Sequence, residues 1–153
     1  MYKKMLVPLD TSDIAECVLY HVREIATARA IPVVDLLVVV EPIRTSAVAY
    51  FGSDRVAEAE ANARKSAGKY LDGVKEKLGL AGTQVNANVI IGSPADEILG
   101  FTEKNDVDLV VMSSHGYSGM SKWFLGNTVE KVLRRSVAPV FLVPNPSCRR
   151  AVD

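Results

Sequence analysis

The feature that most narrows the folds open to this chain is residues 32–40, a nearly unbroken run of valine and leucine. A strand with one wet face alternates apolar and polar side chains; a run without alternation is how a strand covered on both faces reads. Residues 107–112 repeat the pattern. Such strands belong to parallel sheets, whose crossover connections lay helices on both faces.

The remainder of the chain supplies those connections. Residues 4–9 are a short apolar run ending in Pro8-Leu9-Asp10, a first strand. Ser12 or Asp13 is the expected cap of a helix to about residue 30, in which Ile14, Val18, Val22 and Ile25 recur at helical spacing. Residues 41–53 read as less regular, with Val48, Tyr50 and Phe51 as their apolar pieces. Residues 54–79 predict a long helix striped by Val56, Ala63, Ala67, Leu71, Val74 and Leu78, and stopped by Gly79 and Gly82. In 83–91, Val85, Ala87, Val89 and Ile91 point one way and Asn86 and Asn88 the other, as expected of a strand nearer an edge. Gly92-Ser93-Pro94-Ala95-Asp96 marks a helix start, with Ser93 as cap, Pro94 at the first helical position and Asp96 as the capping acid. After the 107–112 strand come a polar loop at 113–122, a helix at 127–136 and a last strand at 140–143. The order βαβαβαβαβ predicts an α/β fold, a parallel sheet with helices on both faces. One domain over 1–146 is expected, with 147–153 as a tail. Ligands in such folds sit beyond the carboxyl ends of the strands, where strand order reverses. The candidate loops are therefore 8–12, 40–41, 91–94 and 113–128.

Eighteen basic side chains balance eighteen acidic ones, so no global field draws the chain onto nucleic acid or anionic lipid. No stretch approaches the ~20 apolar residues of a membrane helix, and residues 1–8 turn polar too soon for a signal peptide. A soluble, cytoplasmic protein is expected, without nucleic-acid or membrane partners. The two cysteines, Cys17 and Cys148, fit neither a metal knuckle nor a CxxC redox motif. Cys17 reads as core packing, Cys148 as a free thiol in the tail, and both suit a reducing compartment.

Several nucleotide sites are excluded by missing parts. The first βα turn, Pro8-Leu9-Asp10-Thr11-Ser12, lacks the glycines a dinucleotide fingerprint needs, and GxxxxGK[ST] is absent. Asp10 would repel a phosphate there. A receiver-type acceptor aspartate is missing after the third strand, where Gly92-Ser93-Pro94 stands. The informative stretch is Ser113-Ser114-His115-Gly116, nine residues, then Gly126-Asn127-Thr128. Gly116 and Gly126 let backbone approach a ligand closely. Gly126 also opens a helix, whose free amides and dipole favour an anion. Asp10 suits the other end of a nucleotide, where a carboxylate accepts hydrogen bonds from a ribose diol. Val40 offers backbone groups to adenine. The bland readings stand beside these: Asn127 with Glu130 would make an ordinary cap pair, Asp10 would cap the first helix, and His115 would be a solvated loop residue.

These residues resemble the universal stress protein family over nearly the whole chain. The resemblance rests on Val7-Pro8-Leu9-Asp10-Thr11-Ser12, on Gly92-Ser93-Pro94, on Asp106-Val107-Asp108-Leu109-Val110-Val111-Met112, and on Val111–Gly116 with Leu125–Val132 and Ala138-Pro139-Val140. The ATP-binding branch looks like G-x2-G-x9-G-[ST]; here Ser113 replaces the first glycine and Asn127 the Ser/Thr, while the Gly116 to Gly126 spacing matches. The resemblance implies a three-layer, adenine-nucleotide α-hydrolase-like fold with strand order 3-2-1-4-5. It implies ATP as ligand, with Mg²⁺ held by the phosphates. Pro8, Asp10 and Val40 would contact adenosine; Ser113, His115, Gly116, Gly126, Asn127 and Thr128 would contact phosphate. It also implies a homodimer paired through Val140–Val143. No nucleophile–base–orienter set and no cluster of carboxylates for metals is legible, so neither catalytic nor metal-ligating residues are assigned. The expected role is a regulatory or stress-response module. The alternatives are a nucleotide-free dimeric interaction protein of the same fold and a slow ATPase or autokinase.

Overall fold

The computed structural model describes residues 1–12, 16–114 and 126–144. Five strands, β1 (Lys4–Leu9), β2 (Val33–Val40), β3 (Gln84–Ile91), β4 (Leu109–Ser113) and β5 (Val140–Val143), form one sheet in the order β3-β2-β1-β4-β5. Every neighbouring pair is parallel. The helices are α1 (Val18–Ala28), α2 (Thr45–Phe51), α3 (Ser53–Leu78), α4 (Pro94–Lys104) and α5 (Asn127–Arg135). The expected fold and strand order are therefore present.

Alternation along each strand sorts the core into two layers. On one face, Met5, Val7, Val34, Leu36 and Val111 pack with Val18 and Val22 of α1 and with Ala67, Leu71, Val74 and Leu78 of α3. On the other, Leu6, Leu37, Val110 and Met112 meet Ile98 of α4 and Val129 and Val132 of α5. The valine-rich β2 is buried through its middle because both layers cover it. β3 lies at one edge and is only partly covered, as its alternation foretold. A polar interruption in β2 is matched from β3: the buried Asp35 accepts a 2.8 Å hydrogen bond from the Asn86 amide.

Two local expectations need correction. The stretch 41–53 contains α2, a short helix whose Tyr50 and Phe51 are exposed. Gly52 ends it at φ 86°, a backbone region that glycine enters without strain, and α3 starts at the next residue. Ser93 has the extended backbone of a cap but makes no side-chain cap bond to α4. What the Gly92-Ser93-Pro94 sequence provides instead is room: a Cβ on Gly92 would run into the Glu97 side chain.

Asn86→Ala removes the partner of a buried carboxylate. It should destabilise the fold by about 1–3 kcal/mol, read as a lower urea midpoint with an unchanged slope.

Candidate functional site

The strand order reverses between β1 and β4, and this junction is fastened at one end. The Asp108 carboxylate accepts the Lys3 and Lys4 amides at 2.7 and 3.2 Å, and the Asp108 amide donates to the Lys4 carbonyl at 3.1 Å. Lys4 Nζ adds a 2.6 Å bond to the Asn105 carbonyl. The ladder then covers Met5↔Leu109 and Leu6↔Val110. By comparison β1 and β2 are laddered from Lys4↔Val33 to Leu9↔Val38. Among the described residues, β1 and β4 are thus joined toward their amino ends, and their carboxyl ends lie at the switch point, where open α/β sheets form a ligand crevice.

Asp10 follows β1 at that crevice. Its Oδ1 accepts the Ser12 amide at 3.0 Å and the Ser12 hydroxyl at 2.5 Å, which holds the carboxylate within its own turn. The residue between, Thr11, stands at φ 67°. A β-branched side chain is disfavoured in that left-handed region by about 1–2 kcal/mol. The strained turn and the Asp10–Ser12 bonds are features that the sequence reading missed; a Thr between Asp and Ser carries no signal of left-handed backbone. The Ser12 carbonyl accepts the Glu16 amide at 3.3 Å, and its hydroxyl donates to Asp10; the expected caps Ser12 and Asp13 face residues 13–15, which lie outside the described ones.

Pro8 is half-buried within β1, opposite Leu37. Val40 ends β2, and its carbonyl accepts the Gly92 amide at 3.0 Å, which ties it to the turn after β3. A carbonyl oxygen retains a second lone pair beyond such a bond. Ser113 ends β4 and is buried, and the Ser114 amide donates to the Val143 carbonyl at 2.9 Å. His115 and Gly116 lie outside the described residues.

The third arm is the start of α5. The Gly126 carbonyl accepts the Glu130 amide at 3.0 Å, the first bond of the helix. The amides of Asn127, Thr128 and Val129 therefore have no intrahelical acceptor. Among the described residues no side-chain cap bond serves this helix. The cap pair expected of Asn127 and Glu130 does not form. Asn127 is the first helical residue rather than the cap, and Glu130 turns along the helix to Arg134 at 3.0 Å. That exposed i,i+4 pair contributes about 0.3–0.5 kcal/mol, whereas a side-chain cap contributes about 1 kcal/mol. Among the described residues nothing caps this positive end, which suits an anion. Gly126 sits at φ −61°, so its backbone does not demand glycine. A Cβ there would meet nothing within 4 Å among the described atoms. The glycine leaves space rather than conformational freedom.

Pro8, Asp10, Ser113, Gly126, Asn127 and Thr128 thus belong to elements that end or begin around one switch point, with Val40 one strand further out. Among the described residues no group of three His, Cys, Asp or Glu side chains is arranged to hold a metal ion.

The universal stress protein family model matches residues 1–144. Universal stress protein MJ0577 of Methanocaldococcus jannaschii is 31% identical over 94% of this chain and 95% of its own length. Universal stress protein YxiE of Bacillus subtilis is 30% identical over 94% and 99%. A solved structure of MJ0577 superposes with a TM-score of 0.81 at 30% identity, covering 94% of this chain and 96% of that one. A universal stress protein crystallised in complex with cAMP shares the fold at a TM-score of 0.66 and 21% identity, over 94% and 98%.

Gly126→Val should fold, with stability within about 1 kcal/mol of the parent, because the added carbons meet nothing within 4 Å among the described residues. A calorimetric scan checks this; loss of the cooperative transition would mean that the position is packed.

Proposed function

Because the chain belongs to the universal stress protein family, we propose that it binds ATP across the carboxyl edge of its sheet and acts as a nucleotide-responsive regulatory module in the cytoplasm. The observation that carries this reading is the α5 start at the switch point: among the described residues, a helix mouth without a side-chain cap, opened by a glycine with nothing within 4 Å of where its Cβ would stand. The mouth suits phosphate through the amides of residues 127–129, helped by the Asn127 and Thr128 side chains and by Ser113. His115 and Gly116 complete that arm by their place in the sequence. Asp10, oriented by Ser12, suits the ribose hydroxyls. Pro8 and Val40 border the adenine. Mg²⁺ would be carried by the phosphates and water. The Gly116 to Gly126 spacing matches that of the family's ATP-binding branch, which supports ATP as the ligand. That a universal stress protein of the same fold holds cAMP supports the ligand class.

The working unit we propose is a homodimer joined through β5. Support comes from its position as the outer strand and from the exposed apolar side chains of Phe141, Val137 and Leu133 on and beside it. The cytoplasmic assignment rests on charge balance; no helix among the described residues is long and apolar enough to cross a membrane.

Protein extracted under native conditions should release adenine nucleotide on chromatography. Millimolar ATP should raise Tm by about 5–10 °C if it exceeds Kd a hundredfold. No nucleotide and no shift would leave a nucleotide-free interaction protein. Gly126→Val should weaken ATP at least about tenfold, since branched carbons stand where phosphate must sit. Asp10→Ala should weaken ATP and AMP more than inorganic triphosphate; equal losses, measured by titration calorimetry, would remove its sugar role.

A further inference from the structure

We propose that β3 is a docking edge: it takes an extended, basic segment of a partner protein as an added strand, with a lysine or arginine of that segment seated in the groove where α3 ends. The inference is independent of nucleotide binding.

β3 is the outermost strand on its side of the sheet, and no described residue pairs with its far edge. The ladder fixes which backbone groups face outward. The Gln84 amide donates to the Pro32 carbonyl at 2.8 Å, and the Gly92 amide donates to the Val40 carbonyl at 3.0 Å. Alternate residues of a strand turn their backbone groups to the same side, so the even-numbered positions serve β2. The amides and carbonyls of Val85, Ala87, Val89 and Ile91 therefore point outward. Natural edges are blunted by shortness, charge, proline or a bulge. β3 has eight residues, Gln-Val-Asn-Ala-Asn-Val-Ile-Ile, with no charge, proline or glycine among them. The opposite edge, β5, has four residues set between Pro139 and Pro144.

An open groove of about 660 Å³ lies where α3 ends and β3 begins, lined by Asp72, Lys75, Glu76, Leu80 and Val85 among others. It occupies the flank of α3 away from α1, since Lys77 on the other flank reaches Glu16 at 2.8 Å. Two carboxylates there outnumber one ammonium, and the negative end of the helix dipole adds to them. Leu80 and Val85 supply an apolar wall. A lysine or arginine matches both parts, its stem on the wall and its cation among the carboxylates. Across the sheet, the buried Asp35 contributes a further negative charge, and no ion pair among the described residues includes it. A second copy of this chain fits less well. β3 carries no basic side chain, and the residues that follow it, to Glu97, add only the acids Asp96 and Glu97.

The test titrates the full chain into a fluorophore-labelled peptide, Thr-Lys-Val-Arg-Val-Lys-Val-Thr, and reads anisotropy at low salt. An analogue with Glu at each basic position should bind at least about tenfold more weakly. Methylating the backbone amides of one alternate set of peptide residues should abolish binding, and methylating the other set should be tolerated, the signature of an added strand. Asp72→Asn combined with Glu76→Gln should weaken the basic peptide about three- to tenfold. Ala87→Pro removes one outward amide without touching the β2 ladder. It should keep the parent circular dichroism and lose binding at least about tenfold; if it unfolds, the methylated peptides carry the test. No binding at millimolar protein, equal affinity for the basic and acidic peptides, or indifference to both methylation patterns would each overturn the proposal. So would a dimer, seen by ultracentrifugation, that Ala87→Pro dissociates, because a second copy would then own the edge.

Discussion

β1 and β4 lie side by side, laced at their amino ends by the Asp108 carboxylate across two backbone amides and laddered only in that half. The remainder of the candidate site depends on this junction. Because β1 leads outward through β2 and β3 while β4 leads the other way to β5, the connections leave the sheet on opposite faces here. The carboxyl ends of the two strands lie at the switch point, where sheets of this kind place a gap between crossovers. Asp10 and Ser113 stand at that gap because they end those strands, and the mouth of α5 opens there because its helix returns from β4.

Around the gap, local interactions are arranged at some cost to stability. Thr11 is held in a left-handed conformation that a β-branched side chain disfavours. Glu130 engages Arg134 instead of serving the helix start. These departures are clustered at the edge where a ligand would enter, whereas the two hydrophobic layers beneath are continuous. Helix amides left without a side-chain acceptor acquire one when an anion binds, so the local deficit and the proposed ligand complement each other.

Much of the architecture was legible because it follows from periodicity. The unbroken β2 run and the alternation of 83–91 separate a strand covered by two helical layers from one at the edge, and both placements are observed. The α3 stripe and its glycine stop are also present, with Gly79 in the left-handed region. Helix α2 was not legible: seven residues are too few to show a period, and its stop depends on the conformation of Gly52. Capping was read least well. Ser93 and Asn127 are residue types that cap helices, yet among the described residues neither caps with its side chain. Residue type states what a side chain can accept; which neighbour reaches it first is a tertiary matter.

The sequence by itself determined the layer structure, the candidate loops and the glycine spacing of the proposed phosphate arm, since burial on two faces and close backbone approach each restrict which residues can stand at a position. Tertiary structure decided how those parts are used. Asp10 is bonded by Ser12 across a strained Thr11. Gly92 yields space to Glu97. Asp108 joins strands more than a hundred residues apart in the chain. His21 of α1 meets Phe141 of β5, 5.9 Å between ring centroids. Each of these depends on which distant atoms share a few ångströms, and no local pattern of residue types encodes that.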